Sequence, residues 1–177
     1  GQSRGAAMLL AQQGDVDKAL DALKQAGSDA PDPLKVRLLR QKNDLPAAEV
    51  EARRVATASP DLGSIRVLAE ILRARGNTAE AAKTLQLLDG IKLDPGMKEL
   101  ALTDFHLRFF DLENALASAT QATDKAPENA ATWQALLTVR SALGDIAGAI
   151  KTVEAAAAKH PNVALFTAQQ SRLDVMK

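Results

Sequence analysis

Arginine is the residue whose spacing in this sequence is best suited to chemistry. Arg37 with Arg40, and Arg66 with Arg73, stand three and seven residues apart in two successive apolar-periodic stretches. Such spacings place each pair near one face of a helix. A guanidinium fork meets a carboxylate or phosphate at two points, which a lysine ammonium does not. Arginines bordering one channel would suit an extended acidic segment. The alternative is a solvated polar face on which Glu70 and Asp104 neutralise neighbouring cations. The two histidines, His106 and His160, lie far apart in the sequence, whereas a metal site needs several converging ligands and catalysis needs a positioned acid, base or nucleophile. His106 stands among Phe105, Phe109 and Phe110 and reads as a packed residue. His160 precedes Pro161, where a histidine at a helix C-terminus is locally favourable. Cysteine is absent, which excludes disulfides, thiol catalysis and zinc-thiolate centres. There is no Gly-rich phosphate loop, His-Glu-x-x-His or Gly-x-Ser-x-Gly. The expectation is a protein with no catalytic residues, no cofactor and no metal.

Composition points to many short helices. Of the 177 residues 46% are hydrophobic but only 3% aromatic, and much of the apolar content is alanine, the best helix former and small enough to let helix axes approach. The 22 basic residues equal the 22 acidic ones, so no global excess argues for nucleic acid or an anionic membrane surface. No apolar run approaches the roughly 20 residues of a membrane span. The sequence opens Gly1-Gln2-Ser3-Arg4, which reads as a segment of a longer protein with Gly1 an expression remnant.

The elements that must position these side chains follow a register. The residues Gly14, Asn43, Gly76, Phe110 and Gly144 recur at turns between apolar-periodic stretches, and four of them are types that tolerate positive φ. Each is followed by Asp15, Asp44, Asn77, Asp111 or Asp145, residues suited to N-cap the next helix. Four residues further on stand Ala19, Ala48, Ala81, Ala115 and Ala149, spaced by 29, 33, 34 and 34 residues. A capped turn with a small residue at fixed distance is what stacked helix pairs need. The spacing predicts five helix pairs and a last helix over about 163–176. The second pair is short, because Pro31-Asp32-Pro33 confines its first helix to about 34–42. In the fifth pair Trp133, Leu136, Leu137 and Leu143, then Ile146, Ala149, Val153 and Ala156, are expected to face inward. Burial is expected at Ala81, Ala115 and Ala149 alike.

The stretch from Trp133 to Pro161 resembles the tetratricopeptide repeat family, through Trp133, Leu136, Ala149, Val153, Ala156 and Pro161. Ala81, Leu85 and Leu88 fit the same pattern in the third pair, and Ala115, Ala119, Ala122 and Pro127 in the fourth. Leu137 at a small position, Phe110 in place of a turn glycine and the short second pair depart from it. The resemblance implies an all-α, right-handed α-solenoid of about eleven helices, one superhelical domain over 1–177 with five repeats and a terminal helix. It also implies that the first helix of each pair lines a concave groove. The groove would then present Arg37, Arg40, Arg66, Glu70, Arg73, Asp104, Arg108, Gln134, Thr138 and Arg172. Trp133 takes the family's structural aromatic position. The function implied is a non-enzymatic scaffold that binds a protein or peptide segment, acidic if the arginines read it. The chaperone-binding clamp, with its Lys and Asn, has no match at Arg66 and Glu70. Alanine-rich repeats with proline stops also resemble bacterial exported repeat proteins of exopolysaccharide systems. That texture implies a spacer or polysaccharide-export module in the periplasm or envelope, against a cytoplasmic alternative.

Overall fold

An alanine-rich chain punctuated by Gly-Asp and Asn-Asp has local reasons to form short helices, since the punctuation ends one helix and opens the next. The computed structural model describes residues 2–176, so Gly1 lies outside the described residues. Among the described residues there are eleven α-helices and no strand. They divide into two compact units, the first ending at Ile91 and the second beginning at Lys92. Unit 1 holds α1 (Gln2–Gln12), α2 (Val16–Gln25), α3 (Pro33–Gln41), α4 (Leu45–Ala58), α5 (Leu62–Ala74) and α6 (Thr78–Gln86), the last running into a 3-10 turn, Leu87–Gly90. Unit 2 holds α7 (Met97–Arg108), α8 (Leu112–Lys125), α9 (Ala130–Ala142), α10 (Ile146–Lys159) and α11 (Ala164–Val175). The short second pair is as expected, with Pro33 in the first turn of a nine-residue α3.

One turn serves all five pairs. Gly14, Asn43, Gly76, Phe110 and Gly144 all have positive φ, between 55° and 84°. The amide after each donates back to the helix just ended, Asp15 to Leu10, Asp44 to Leu39, Asn77 to Leu72, Asp111 to His106 and Asp145 to Arg140, every one at 2.9 Å. This closes the helix C-terminus in a Schellman arrangement. The same residue's carbonyl then accepts the first amide bond of the next helix, as Asp44 does from Ala48 at 2.9 Å. The side chains divide. Asp44, Asp111 and Asp145 accept from Ala47, Asn114 and Gly148 respectively, while Asp15 and Asn77 make no side-chain cap. The carboxylate of Asp15 instead takes Lys18 at 2.8 Å. Gly148 belongs to this local chemistry, because a Cβ there would collide with the capping carboxylate of Asp145.

Ala19, Ala48, Ala81 and Ala115 are buried, as the register requires. Ala149 is only half-buried, which corrects the expectation for the fifth pair. A cavity of about 400 Å³ between α10 and α11, lined by Ala149, Ile150, Val153, Gln169 and Leu173, leaves it partly open. Two inward assignments in that pair also fail. Leu143 caps the end of α9 and Ile146 opens α10, so both sit at the turn, and Ile146 is 73% exposed. The positions that close α9 are Thr132, Leu136 and Val139. Trp133 is half-buried, and its indole N–H donates to the Pro127 carbonyl at 2.8 Å.

Candidate partner-binding cleft

In unit 1 the first helices of successive pairs lie side by side, held by charge. Both Nε and Nη2 of Arg4 on α1 donate to the Asp32 carboxylate at the start of α3, at 3.2 and 2.9 Å. Arg40 on α3 donates to Glu70 on α5 at 2.9 Å, and Arg66 approaches the other Glu70 oxygen at 3.8 Å. Between these helices opens a cleft of about 590 Å³. Leu34 and Val36 of α3 and Val55 of α4 form its floor, Met8 and Val67 its walls, and Arg4, Arg37 and Arg40 its cationic rim. Leu34, Val36 and Val55 are buried, whereas Met8 is 46% exposed. Asp61 lines the cleft at the N-terminal end of α5 and is engaged in a capping box with Ser64.

A second set of charges ties α4 to its neighbours. The Glu51 carboxylate accepts the Asp32 amide at 2.9 Å and Arg54 at 2.9 Å, with Lys35 at 3.4 Å. Arg54 also donates to the Asp29 carbonyl, so the segment between α2 and α3 is anchored to α4. Glu49 binds Arg53 at 2.7 Å and Arg75, and Arg53 reaches on to Glu80 at 2.6 Å. Burial alone would raise the Glu49 and Glu51 carboxyls. Hydrogen bonds from Arg53 and Arg75 outweigh it at Glu49, and the Asp32 amide with Lys35 and Arg54 outweighs it at Glu51, so both sit below the ordinary value. Asp32 is also lowered, chiefly by Arg4.

The expected groove residues separate into groups. Arg37 and Arg40 line the cleft, and Arg66 and Glu70 meet beside it. Glu70 is buried among helices rather than presented to a ligand. Arg73 turns away along its own chain and donates to the Thr78 hydroxyl at 2.9 Å. In unit 2, Asp104 and Arg108 on α7, Gln134 and Thr138 on α9, and Arg172 on α11 are all exposed. The Thr138 hydroxyl is spent on the Gln134 carbonyl at 2.9 Å, and Arg172 borders the cavity beside Ala149. Sequence reasoning missed Arg4, Met8 and Val67. The signal for them was available, since Met8 lies on the first helix of its pair as Arg37 and Val67 do.

The histidines make structural contacts at helix ends. His106 Nδ1 lies 3.3 Å from Asp111 and its ring meets Phe105 edge-on at 5.5 Å. His160 Nε2 is 3.0 Å from the Pro127 carbonyl. Among the described residues no three of His, Cys, Asp and Glu converge as a metal site would require, and no helix is long and apolar enough to cross a membrane.

Residues 5–33, the first helix pair and the entry to the second, match the tetratricopeptide repeat family. Solved structures extend the likeness along the chain. MamA of Desulfovibrio magneticus is 16% identical over 92% of this chain and 96% of that one, with a TM-score of 0.60. A thermophilic tetratricopeptide-repeat protein of Thermus thermophilus is 17% identical over 97% and 96%, with a TM-score of 0.57. The chain has the tetratricopeptide-repeat fold. YrrB, described as a tetratricopeptide-repeat protein with an unusual peptide-binding site, is 14% identical over 96% and 90%, with a TM-score of 0.53. No curated protein matches the chain in sequence. The five helix pairs described above are the helix pairs of that fold, each closed by the same turn.

Proposed function

We propose that this repeat protein is a non-enzymatic interaction scaffold that holds an extended protein segment in the cleft of unit 1. The carrying observation is the cleft itself, an apolar floor bounded by α1, α3 and α5 with guanidinium groups along its rim. A floor of Leu34, Val36 and Val55 offers burial to a partner side chain. The rim favours acidic partners, since charge-assisted contacts to arginine are among the stronger polar contacts once partly desolvated. A structural relative with a peptide-binding site supports the reading by analogy. The exposed residues Asp104, Arg108, Gln134, Thr138 and Arg172 are proposed as further contacts on unit 2.

The competing reading is a spacer whose repeats only stack. It is favoured by how many of the arginines are already paired, with Arg40 and Arg66 on Glu70 and Arg73 on Thr78. A polysaccharide-export role would call for exposed aromatics on the first helices. Among the described residues Phe110 is the exposed aromatic, and it sits at a turn. A peptide array probed with the labelled full chain and with Val67→Asp separates scaffold from spacer. A set of peptides that binds the parent and not the variant supports the scaffold. An array without bound peptides favours the spacer.

A further inference from the structure

The rim of the cleft looks strongly basic in sequence, but its charges are mostly spent. Arg4 gives two donors to Asp32, and Arg40 gives its guanidinium to Glu70. Arg37 is exposed, lines the cleft, and makes no hydrogen bond or ion pair with any described residue. The cleft is also lined by Asp61, whose carboxylate already accepts the Ser64 amide at 2.7 Å and would repel a second anion. The cleft therefore carries one available cation and one carboxylate unfavourable to an anion, over a floor of aliphatic side chains.

Its geometry gives that pattern a direction. Pro33 and Leu34 at the start of α3 share the cleft with Asp61, Gly63 and Ser64 at the start of α5. Arg40 and Glu70, further along each helix, are in contact. The two helices therefore run alongside one another in the same sense. At roughly 1.5 Å per residue, Arg37 lies about 6 Å from Pro33 along the axis of α3. Arg37 stands at the middle of α3, beside Val36 and one turn from Leu34, so its free guanidinium borders the apolar floor, while Asp61 lines the cleft at the start of α5.

We infer that the segment bound in this cleft is read by one large apolar side chain seated on Leu34, Val36 and Val55 and by a single acidic side chain on Arg37, not by a run of acidic residues. This rests on the scaffold reading above and narrows its partner. Several carboxylates would compete for one fork while the others met Asp61 or displaced Asp32 and Glu70 from partners that hold the helices together. An apolar side chain meets no such competition, and Met8, which is partly exposed, can close over it with a flexible, polarisable side chain.

The test measures the full chain against N-acetylated, C-amidated nonapeptides carrying Leu, Phe or Ala at the centre and one Glu, Gln or Lys moved through the flanking positions. A poly-Glu nonapeptide and a free-acid peptide without Glu complete the set. The expected result is binding that needs Leu or Phe and is weakened at least fivefold when Glu becomes Gln. Arg37→Gln should erase that difference, and Arg37→Glu should transfer the preference to the Lys peptide. Arg37 is exposed and unpaired, so these variants are expected to keep the parent's melting temperature, which is measured alongside. Three outcomes overturn the inference and leave the scaffold reading in place. They are apolar peptides that bind equally with Glu and Gln, a poly-Glu peptide that binds best, and binding that needs only the free C-terminus. Failure of every peptide to bind overturns both.

Discussion

In unit 1 the carboxylates of Glu49, Glu51 and Glu70 are buried and each is met by two or more cations, at least one of them from a neighbouring segment. In unit 2 the buried polar residues are mostly hydroxyls, those of Thr103, Ser118, Thr123, Thr132 and Thr152, with Glu99 the one buried carboxylate among that unit's described residues. The threonine hydroxyls there are satisfied within their own segments, as Thr103 is by the Glu99 carbonyl at 2.8 Å and Thr152 by the Gly148 carbonyl at 2.8 Å. Glu99 itself is held by Lys125 at 2.6 Å. One fold thus has two kinds of polar interior, mainly ionic in unit 1 and mainly hydroxyl in unit 2. An arginine on a repeat can belong to such an ionic interior as readily as to a binding surface. Which it is depends on whether a glutamate on the next helix reaches it.

Acid should expose this contrast most strongly. Asp32, Glu49 and Glu51 in unit 1, and Glu99 and Asp111 in unit 2, have folded-state values below the ordinary 3.8 for Asp and 4.5 for Glu. Lys125 overcomes the effect of burial at Glu99, and Asn114 leads the lowering at Asp111. A lowered carboxyl stabilises the fold above its unfolded value and ceases to do so as pH falls through the folded one. Amide hydrogen exchange between about pH 5 and about pH 3 should show protection collapsing first in unit 1, where more of these groups bridge helices. Equal loss in both units would remove the distinction.

Glu51→Ala attacks the same ionic interior by substitution. It strands the Asp32 amide and frees Arg54 and Lys35, so it is expected to cost about 2–3 kcal/mol, below the full value for a buried pair because both cations are partly exposed. The loss of protection should centre on the segment between α2 and α3. In unit 2 the matching test is steric. Ala115→Leu should cost ~1–3 kcal/mol in denaturant midpoint, and Ala149→Leu under ~1 kcal/mol, because the cavity beside Ala149 can take the added atoms. Equal costs would mean that α11 closes on α10 as tightly as α9 does on α8.

The smallest effect is a gain. Phe110 holds φ at 55° where three of its counterparts are glycine, and it is 86% exposed. Phe110→Gly should therefore stabilise unit 2 by about 1 kcal/mol, relieving strain and giving up little packing. Asn43→Gly in unit 1 should change far less, since asparagine tolerates that conformation. A destabilised Phe110→Gly variant would show that the ring makes contacts that matter.

Much of the fold was legible because it is local. Gly14, Asp15 and Ala19 sit within one turn and the start of one helix, so residue type and spacing carry their roles directly. Phe110 was legible only as an exception, since its positive φ is imposed by the repeat rather than favoured by its side chain. Ile146 and Leu143 were misread because apolar periodicity ignores the loss of helical direction at a turn, and Thr132 was missed because a hydroxyl bonded to the Ala126 and Asn129 carbonyls is indistinguishable in sequence from an exposed one. The cleft was half legible. The faces that bear Arg37 and Arg40 follow from helical spacing, whereas Glu70, the partner of Arg40, lies 30 residues away and depends on how neighbouring helices stack.

The shared turn also sets where this architecture can vary. One residue, Asp15 or its counterpart, locks the end of one helix with its amide and starts the next with its carbonyl, at φ of −78° to −85° in all five pairs. A pair of helices is thereby a prefabricated part, with no slack at its bend. The segments that join one pair to the next have no such clamp, and in unit 1 they range from residues 26–32 to residues 59–61. Those seams are therefore where length can be added while the bends stay unaltered.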